Sequence, residues 1–200
     1  LGISFGALLL ALILGILSGG LSTSKSKVGK LISRIYVEVF QNTPLLVQMV
    51  FVYYGLAIIS NGHVMISAFF TAVLCVGLYH GAYISEVIRS GIEAVPKGQT
   101  EAALAQGFTA NQTMQLIILP QAVRTILPPM TNQVVNLIKN TSTVAIISGA
   151  DIMFVAKAWA YDTTNYIPAF AGAAIFYFVI CFPLASWARK QEELNKKTYS

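Results

Sequence analysis

Lys139 is the one charged residue in the otherwise apolar run 125–150. A lysine at the centre of a bilayer costs about 2.5–3.5 kcal/mol on insertion scales, so it usually faces a cavity or a partner. Asn132, Asn136 and Thr143 share its face if the run is helical. This polar face indicates a water-filled pathway, in which the lysine would attract a carboxylate. The alternative is a polar contact between helices, with Lys139 paired for structural reasons.

A second apolar run carries polar side chains at helical spacing, namely Tyr79, Tyr83 and Glu86. Glu86 is positioned either to meet an ammonium group or to pair with Arg89 at the membrane edge. His80 lies one residue round from this face, and we expect it to make a buried hydrogen bond rather than to bind a ligand.

Prolines and amides interrupt two of the predicted membrane spans. Gln48 and the polar residues 41–44 could line the same pathway. Pro44 is expected to kink its helix, with local polar groups satisfying the freed carbonyl. The pair Pro128-Pro129 predicts a hinge or a broken helix in the span that carries Lys139.

The composition requires lipid around the chain. Of the 200 residues only 10% are charged, against about 25% in soluble domains, and the mean hydropathy is +0.67. Cys75 and Cys181 each lie in an apolar run and are expected to be small buried hydrophobes. The sequence contains no metal-ligand spacing, no catalytic constellation and no Walker A pattern, so neither an enzyme nor an ATPase is indicated.

The apolar runs predict an all-α membrane protein, a single domain over residues 1–200 with five transmembrane helices. We expect the spans at about 1–23, 38–59, 65–89, 121–148 and 169–188. The first run lacks the basic leading region of a signal peptide, so it is interpreted as a span. Because residue 1 is Leu rather than Met, we also expect the N-terminus to be incomplete.

Basic residues give the orientation. Eleven of the thirteen Lys and Arg fall in three clusters that share one side of the membrane if there are five spans. The clusters are Lys25, Lys27, Lys30 and Arg34; Arg89, Lys97 and Arg124; and Arg189, Lys190, Lys196 and Lys197. The positive-inside rule therefore predicts an N-terminus outside and a C-terminus in the cytoplasm. Clusters beside apolar runs suit a membrane surface and not nucleic acid.

The cytoplasmic segment 96–119 is predicted to be two short helices joined by a sharp bend. A helix starting near Pro96 would end at Gly107, where a C-terminal glycine belongs. Thr109 and Gln112 have the spacing of a capping box, and Pro120 suits the first turn of the next helix. From these signals alone, the segment is either an ordinary helical surface loop or a knob that docks into a partner's groove.

The same segment resembles the EAA loop in permease subunits of binding-protein-dependent ABC importers. The anchors are Glu101-Ala102-Ala103, then Gly107, Ile117 and Leu119-Pro120. The surrounding sequence resembles the polar amino-acid branch of that family in the segments 36–48, 83–92, 95–99 and 137–142. The resemblance covers roughly residues 30–190.

The resemblance implies a type I importer in a bacterial cytoplasmic membrane. Two permease subunits, identical or related, would form the pathway, and an extracytoplasmic amino-acid-binding protein would deliver the substrate. Two separate ATPase subunits would bind ATP and Mg, so no cofactor is expected in this chain. The resemblance makes Glu101 the acid that enters the ATPase groove and Gly107 the residue at the bend. Ala102, Ala103, Leu119 and Pro120 complete the expected coupling site.

The family also directs attention to the polar residues of the spans as a substrate site. Lys139 would attract an α-carboxylate, and Asn140 and Ser142 would hydrogen-bond the substrate. The expected set is Lys139, Asn140, Ser142, Asn136, Tyr83, Glu86, Tyr79 and Gln48. In arginine-type relatives the position after the lysine is often acidic, whereas Asn140 is neutral, which favours glutamine or glutamate. Alternatives are an ion-coupled secondary transporter or channel, and a non-transporting membrane scaffold or enzyme.

Overall fold

The computed structural model describes residues 1–198, with the side chains of 191, 192 and 194–198 left aside. Lys196 and Lys197 of the third basic cluster therefore lie outside the described side chains, and the last two residues of the expected domain lie outside the described chain. Every regular element in the described part of the chain is a helix, which confirms the all-α class.

Helix α1 (Gly2–Thr23) packs along helix α5 (Ala68–Glu93) through a stripe of small residues. Ala7, Ala11, Gly15 and Gly19 recur every fourth residue, and all four are buried. The helices approach so closely that a Cβ atom on Gly19 would lie 2.8 Å from Ile88. Small residues at this spacing let helix backbones meet in a membrane, where packing replaces the hydrophobic effect as the cause of association.

The predicted second span, 38–59, is wrong as a single helix. Helix α2 (Lys27–Asn42) ends at Asn42, and the chain then turns by 98° into the segment Leu45–Ile59. This segment consists of α3 (Leu45–Val50), one π-helical turn (Phe51–Gly55) and α4 (Leu56–Ile59). The break follows from Pro44, because a proline disfavours helical geometry in the residue before it, and Thr43 is extended.

The chain turns at 60–63, in the loop before α5, where Asn61 and Gly62 adopt positive φ values of 51° and 81°. Helix α5 then begins three residues later than the predicted span 65–89 and ends four residues beyond it. Both predicted buried cysteines, Cys75 and Cys181, are buried.

The bent segment forms as the sequence predicts. Helix α6 (Lys97–Ala105) starts after Pro96, and Gly107 follows it with φ at 87°. The amide of Phe108 donates to the Ala103 carbonyl at 3.1 Å and that of Gly107 to the Leu104 carbonyl at 3.0 Å. This pair of bonds is a Schellman motif, which needs a left-handed residue at its centre.

The second half of the bend begins with the predicted capping box. Thr109 precedes α7 (Ala110–Gln112) and accepts from the Gln112 amide, while the Gln112 side chain accepts from the Thr109 amide at 2.8 Å. A π-helical stretch (Thr113–Ile118) leads directly into α8 (Leu119–Asn140), with Pro120 in its first turn. Helical backbone therefore runs without a gap from Ala110 into α8.

The expected break at Pro128-Pro129 is wrong, because α8 continues through both prolines. An interior proline removes a hydrogen-bond donor and crowds the carbonyl four residues earlier, which usually bends or breaks a helix. Membrane helices tolerate this because neighbouring groups satisfy the freed carbonyls, and α8 is such a case. The geometry changes later, where a 3-10 helix (Thr141–Ile147) follows Asn140 and ends at Ser148 with a φ of 58°.

The predicted loop 149–168 contains a further helix, α9 (Ile152–Thr163), and α10 (Tyr166–Thr198) begins three residues before the predicted fifth span. Asp151 caps α9 and also accepts a hydrogen bond from the Tyr177 hydroxyl at 2.8 Å. Among the described residues, α1, α5 and α10 are each long and apolar enough to cross a membrane. The number of candidate spans rises to five if Lys27–Ile59 and Ala110–Thr163 each count as one bent span.

The close contact between α1 and α5 predicts the effect of a single added side chain. Gly15→Val would push a side chain into Ile84, whereas Gly20→Val would meet no atom within 4 Å. Both substitutions change the helix propensity of α1 in the same way, so a difference in stability between the two variants reports the packing of α1 against α5. We expect Gly15→Val to lower the free energy of unfolding by about 1–3 kcal/mol relative to Gly20→Val, measured by thermal unfolding in detergent. Equal stability of the two variants would contradict the packing described here.

Candidate functional site

A polar cavity of about 400 Å³ opens between α5 and α8. Its lining residues are Tyr79, His80, Tyr83, Gln133, Asn136, Lys139 and Asn140. The α5 residues follow one another at helical spacing, and the α8 residues lie within two turns near the end of that helix. The volume falls within the usual range for small-molecule sites.

His80 connects the two walls of the cavity. It is only 1% exposed, and its ring nitrogens contact two α8 amides: Nδ1 lies 3.4 Å from Gln133 Oε1, and Nε2 lies 3.0 Å from Asn140 Nδ2. An amide nitrogen can only donate, so Nε2 accepts and the neutral ring carries its proton on Nδ1. The expected buried hydrogen bond of His80 is therefore confirmed, and it has a partner at each nitrogen.

Two tyrosines form the aromatic wall beside His80. The hydroxyls of Tyr79 and Tyr83 lie 3.2 Å apart, and their ring centroids are separated by 5.0 Å. The Tyr79 ring also meets His80 edge to face. This wall presents two hydroxyl groups and an apolar ring surface to the cavity.

Lys139 supplies the positive charge of the cavity. Its side chain is exposed and lies beside Asn136 and Asn140, which present amide groups. Lys139 also lines a smaller, apolar cavity of about 270 Å³ against α10, where Tyr177 and Cys181 are neighbours. An ammonium group beside amides, hydroxyls and aromatic rings can hold a small molecule that carries a carboxylate and further polar groups.

Three predicted substrate residues lie elsewhere. Glu86 pairs with Arg89 at 2.7 Å, the structural alternative considered above, and lines a different cavity. Gln48 donates to the Phe40 carbonyl at 3.2 Å and to Thr43, so it supports the bend after α2. Ser142 is half-buried in the 3-10 helix and is absent from the cavity lining. None of these three residues lines the cavity that contains Lys139.

Gln133 lines the cavity and was missed by the sequence analysis. Its spacing contained the signal, since Gln133, Asn136 and Asn140 recur at three and four residues on one face of α8. The charge of Lys139 made the face that it shares with Asn132 the stronger signal in the sequence.

The first helix of the bent segment has one exposed side and one buried side. Glu101 and Ala102 are exposed, whereas Ala103 is buried at 5% exposure. Helix α6 packs on the π-helical stretch 113–118, which continues into the cavity-lining helix α8. The bend and the cavity are therefore two ends of one connected helical segment.

Comparison with known families decides the classification. The model of the family described as "Binding-protein-dependent transport system inner membrane component" matches residues 11–193. The chain belongs to this family. The resemblance found in the sequence is thereby confirmed.

Relatives within this family are similar over most of the chain. The probable glutamine ABC transporter permease protein GlnM of Bacillus subtilis is 37% identical over 164 residues, which is 82% of this chain and 74% of that protein. The probable amino-acid ABC transporter permease protein PatM of Vibrio harveyi is 36% identical over 192 residues, or 94% of this chain and 85% of that protein.

Solved structures agree with the assignment. A crystal structure of an amino acid ABC transporter with histidines superposes with a TM-score of 0.88 at 32% identity, covering 96% of this chain and 88% of that one. The inward-facing MetNI methionine ABC transporter has a TM-score of 0.65 at 15% identity, covering 94% and 89% of the two chains. The second similarity concerns the fold alone. The chain therefore has the type I ABC importer permease fold.

Because His80 makes two hydrogen bonds, its replacement should lower stability more than replacement of His63. His80→Leu would leave the part-buried Gln133 and Asn140 amides without their partner, at a cost of about 1–3 kcal/mol. His63→Leu makes the same replacement in an exposed loop. Thermal unfolding of both variants measures the difference, and a His80 variant as stable as the His63 variant would contradict the cross-link.

Proposed function

We propose that this chain is the permease subunit of an ATP-driven amino-acid importer. It passes a polar amino acid, with glutamine or glutamate favoured, from an extracytoplasmic binding protein to the cytoplasm. Transport proceeds by alternating access, and the energy comes from a separate ATPase.

One structural observation supports this proposal most strongly. Helical backbone runs from Ala110, beside the bend at Gly107, to Ile147, beyond the cavity. A displacement applied at the bend is therefore transmitted along α8 to Gln133, Asn136 and Lys139 without an intervening flexible loop. Rigid segments of this kind convert a motion at one site into a rearrangement at another.

The proposed topology has five spans, two of which are bent. In this topology the Lys27–Ile59 and Ala110–Thr163 segments each cross the membrane once. The N-terminus lies outside and the C-terminus lies in the bacterial cytoplasm, since that arrangement puts the three basic clusters on one side. The segment 96–119 is then cytoplasmic.

The proposed partners follow from this arrangement. An ABC ATPase dimer receives the bent segments of two permease subunits, which are either identical or related chains. Glu101 enters the ATPase groove, and its exposed position on α6 is compatible with that contact. Gly107, with Ala102, Ala103, Leu119 and Pro120, maintains the bend and its connection to α8. ATP and Mg bind to the ATPase partner.

The cavity residues suit an amino acid. Lys139 binds the α-carboxylate, and Asn136 with the tyrosine hydroxyls hydrogen-bonds the remaining polar groups. The Asn140 amide nitrogen donates one N–H to His80, so its carbonyl oxygen and its second N–H remain for a substrate. The glutamine and amino-acid permeases among its relatives support this substrate class. An ion-coupled transporter is not favoured by membership of a binding-protein-dependent family.

Removing the charge of Lys139 tests the substrate site. Lys139→Gln would replace a charge-assisted contact to the carboxylate, and we expect kcat/KM for uptake to fall about 10- to 100-fold. Lys157→Gln removes the same charge from α9, away from the polar cavity. The measurement is binding-protein-dependent glutamine uptake into liposomes. An unchanged kcat/KM for Lys139→Gln would remove this residue from the pathway.

Replacing one of two glycines by alanine tests the bend. A Cβ atom at either Gly107 or Gly98 would meet no atom within 4 Å, but only Gly107 has a positive φ, at 87°. Alanine in the left-handed region costs about 1–2 kcal/mol, so only Gly107→Ala strains the bend. We expect fewer amino acids transported per ATP hydrolysed in Gly107→Ala than in Gly98→Ala. Equal ratios in the two variants would contradict the coupling role.

A further inference from the structure

Helix α2 has three faces with different surroundings. Gly29, Ser33 and Val37 are buried against α1 and α5. A second face carries an apolar stripe whose members are each between 51% and 67% exposed. The members of this stripe are Val28, Leu31, Ile32, Ile35 and Val39. The third face is polar and includes Lys30 and Arg34. The spacing of three to four residues makes the stripe continuous along the helix.

Hydrogen bonds to α1 and α5 fix the direction of α2 relative to α5. Ser33 shares a hydrogen-bonded cluster with Ser18 and Ser85, and the Gln41 side chain donates to the Ala82 carbonyl at 3.2 Å. Eight residues of α2, about 12 Å of helix, therefore correspond to only three residues of α5. Helix α2 thus crosses α5 obliquely, and the chain changes direction by 98° after Asn42.

Two cations beside the stripe, Lys30 and Arg34, make no ion pair with any residue that the structure describes. Lys30 and Arg34 line a polar cavity of about 470 Å³ that also contains Glu38, Glu86 and Arg89. Glu86 is held by Arg89, and Glu38 accepts from the Asn42 amide at 2.9 Å. Within the described residues, the ion pairs involve Arg89 and not Lys30 or Arg34.

We propose that α2 is an interfacial helix whose apolar stripe is inserted in the cytoplasmic leaflet, while Lys30 and Arg34 bind the phosphate of an anionic phospholipid. The proposal rests on the orientation given under the proposed function. An acyl chain and an anionic headgroup satisfy the stripe and the two cations together, because these faces adjoin on the helix.

Lipid selectivity is the first test. The purified complex of permease and ATPase is titrated with phosphatidylglycerol or phosphatidylcholine, and bound lipid is counted by native mass spectrometry. Each cation near an anionic surface contributes about fivefold in affinity, so Lys30→Gln/Arg34→Gln should weaken phosphatidylglycerol binding about 30-fold and leave phosphatidylcholine unchanged. The control, Lys157→Gln/Lys190→Gln, removes two charges elsewhere. Equal affinity for the two lipids, or an equal loss in the control, overturns the proposal.

The depth of the stripe is the second test. A nitroxide is attached to Ile35→Cys in the Cys75→Ala/Cys181→Ala background, in phosphatidylcholine vesicles containing some phosphatidylglycerol. We expect the label to be relaxed by dissolved oxygen more than by a water-soluble nickel chelate. Shielding from both reagents would mean that a second permease subunit covers the stripe, and strong nickel relaxation would mean exposure to water. Either result overturns the proposal, and neither depends on whether the complex transports glutamine.

Discussion

The need to satisfy polar groups inside an apolar helix bundle determines the arrangement around α5. His80 meets that need through Gln133 and Asn140, so one buried ring fixes how α5 and α8 face each other. The same helix holds α1 by close backbone contact and α2 through the Ser18–Ser33–Ser85 cluster. The polar cavity exists because these contacts hold α8 at a set distance from the aromatic residues of α5.

In the proposed function, α8 connects the substrate cavity to the bent segment that would contact the ATPase. Its beginning is continuous with the bent segment around Gly107, and its end carries Lys139. The lysine is costly in an apolar setting, and the amides and hydroxyls around it offset that cost while providing groups for a substrate. A transporter that draws on an external ATPase requires a connection of this kind.

The sequence predicted local features better than long-range ones. The Schellman motif at Gly107 and the capping box at Thr109 depend on neighbouring residues, so their signals are complete within a few positions. Glu86 makes the pair with Arg89 that the sequence offered as an alternative to a substrate contact, and Gln48 lies outside the cavity lining. Spacing along a helix predicts which face a residue shares, but not how far along the neighbouring helix it lies. The effect of Pro44 exceeded the expected kink, whereas Pro128 and Pro129 had less effect than expected. At Pro44 the residue before the proline, Thr43, left the helical region, whereas at Pro128 and Pro129 the helix continued, and the presence of a proline does not distinguish these outcomes.

The most direct test of this account is radiolabelled glutamine uptake into liposomes that contain the permease with its ATPase. Uptake is compared with and without ATP, with and without the extracytoplasmic binding protein, and with an ion gradient alone. The account predicts accumulation only when ATP and the binding protein are both present. Accumulation driven by an ion gradient, without either of them, would contradict it.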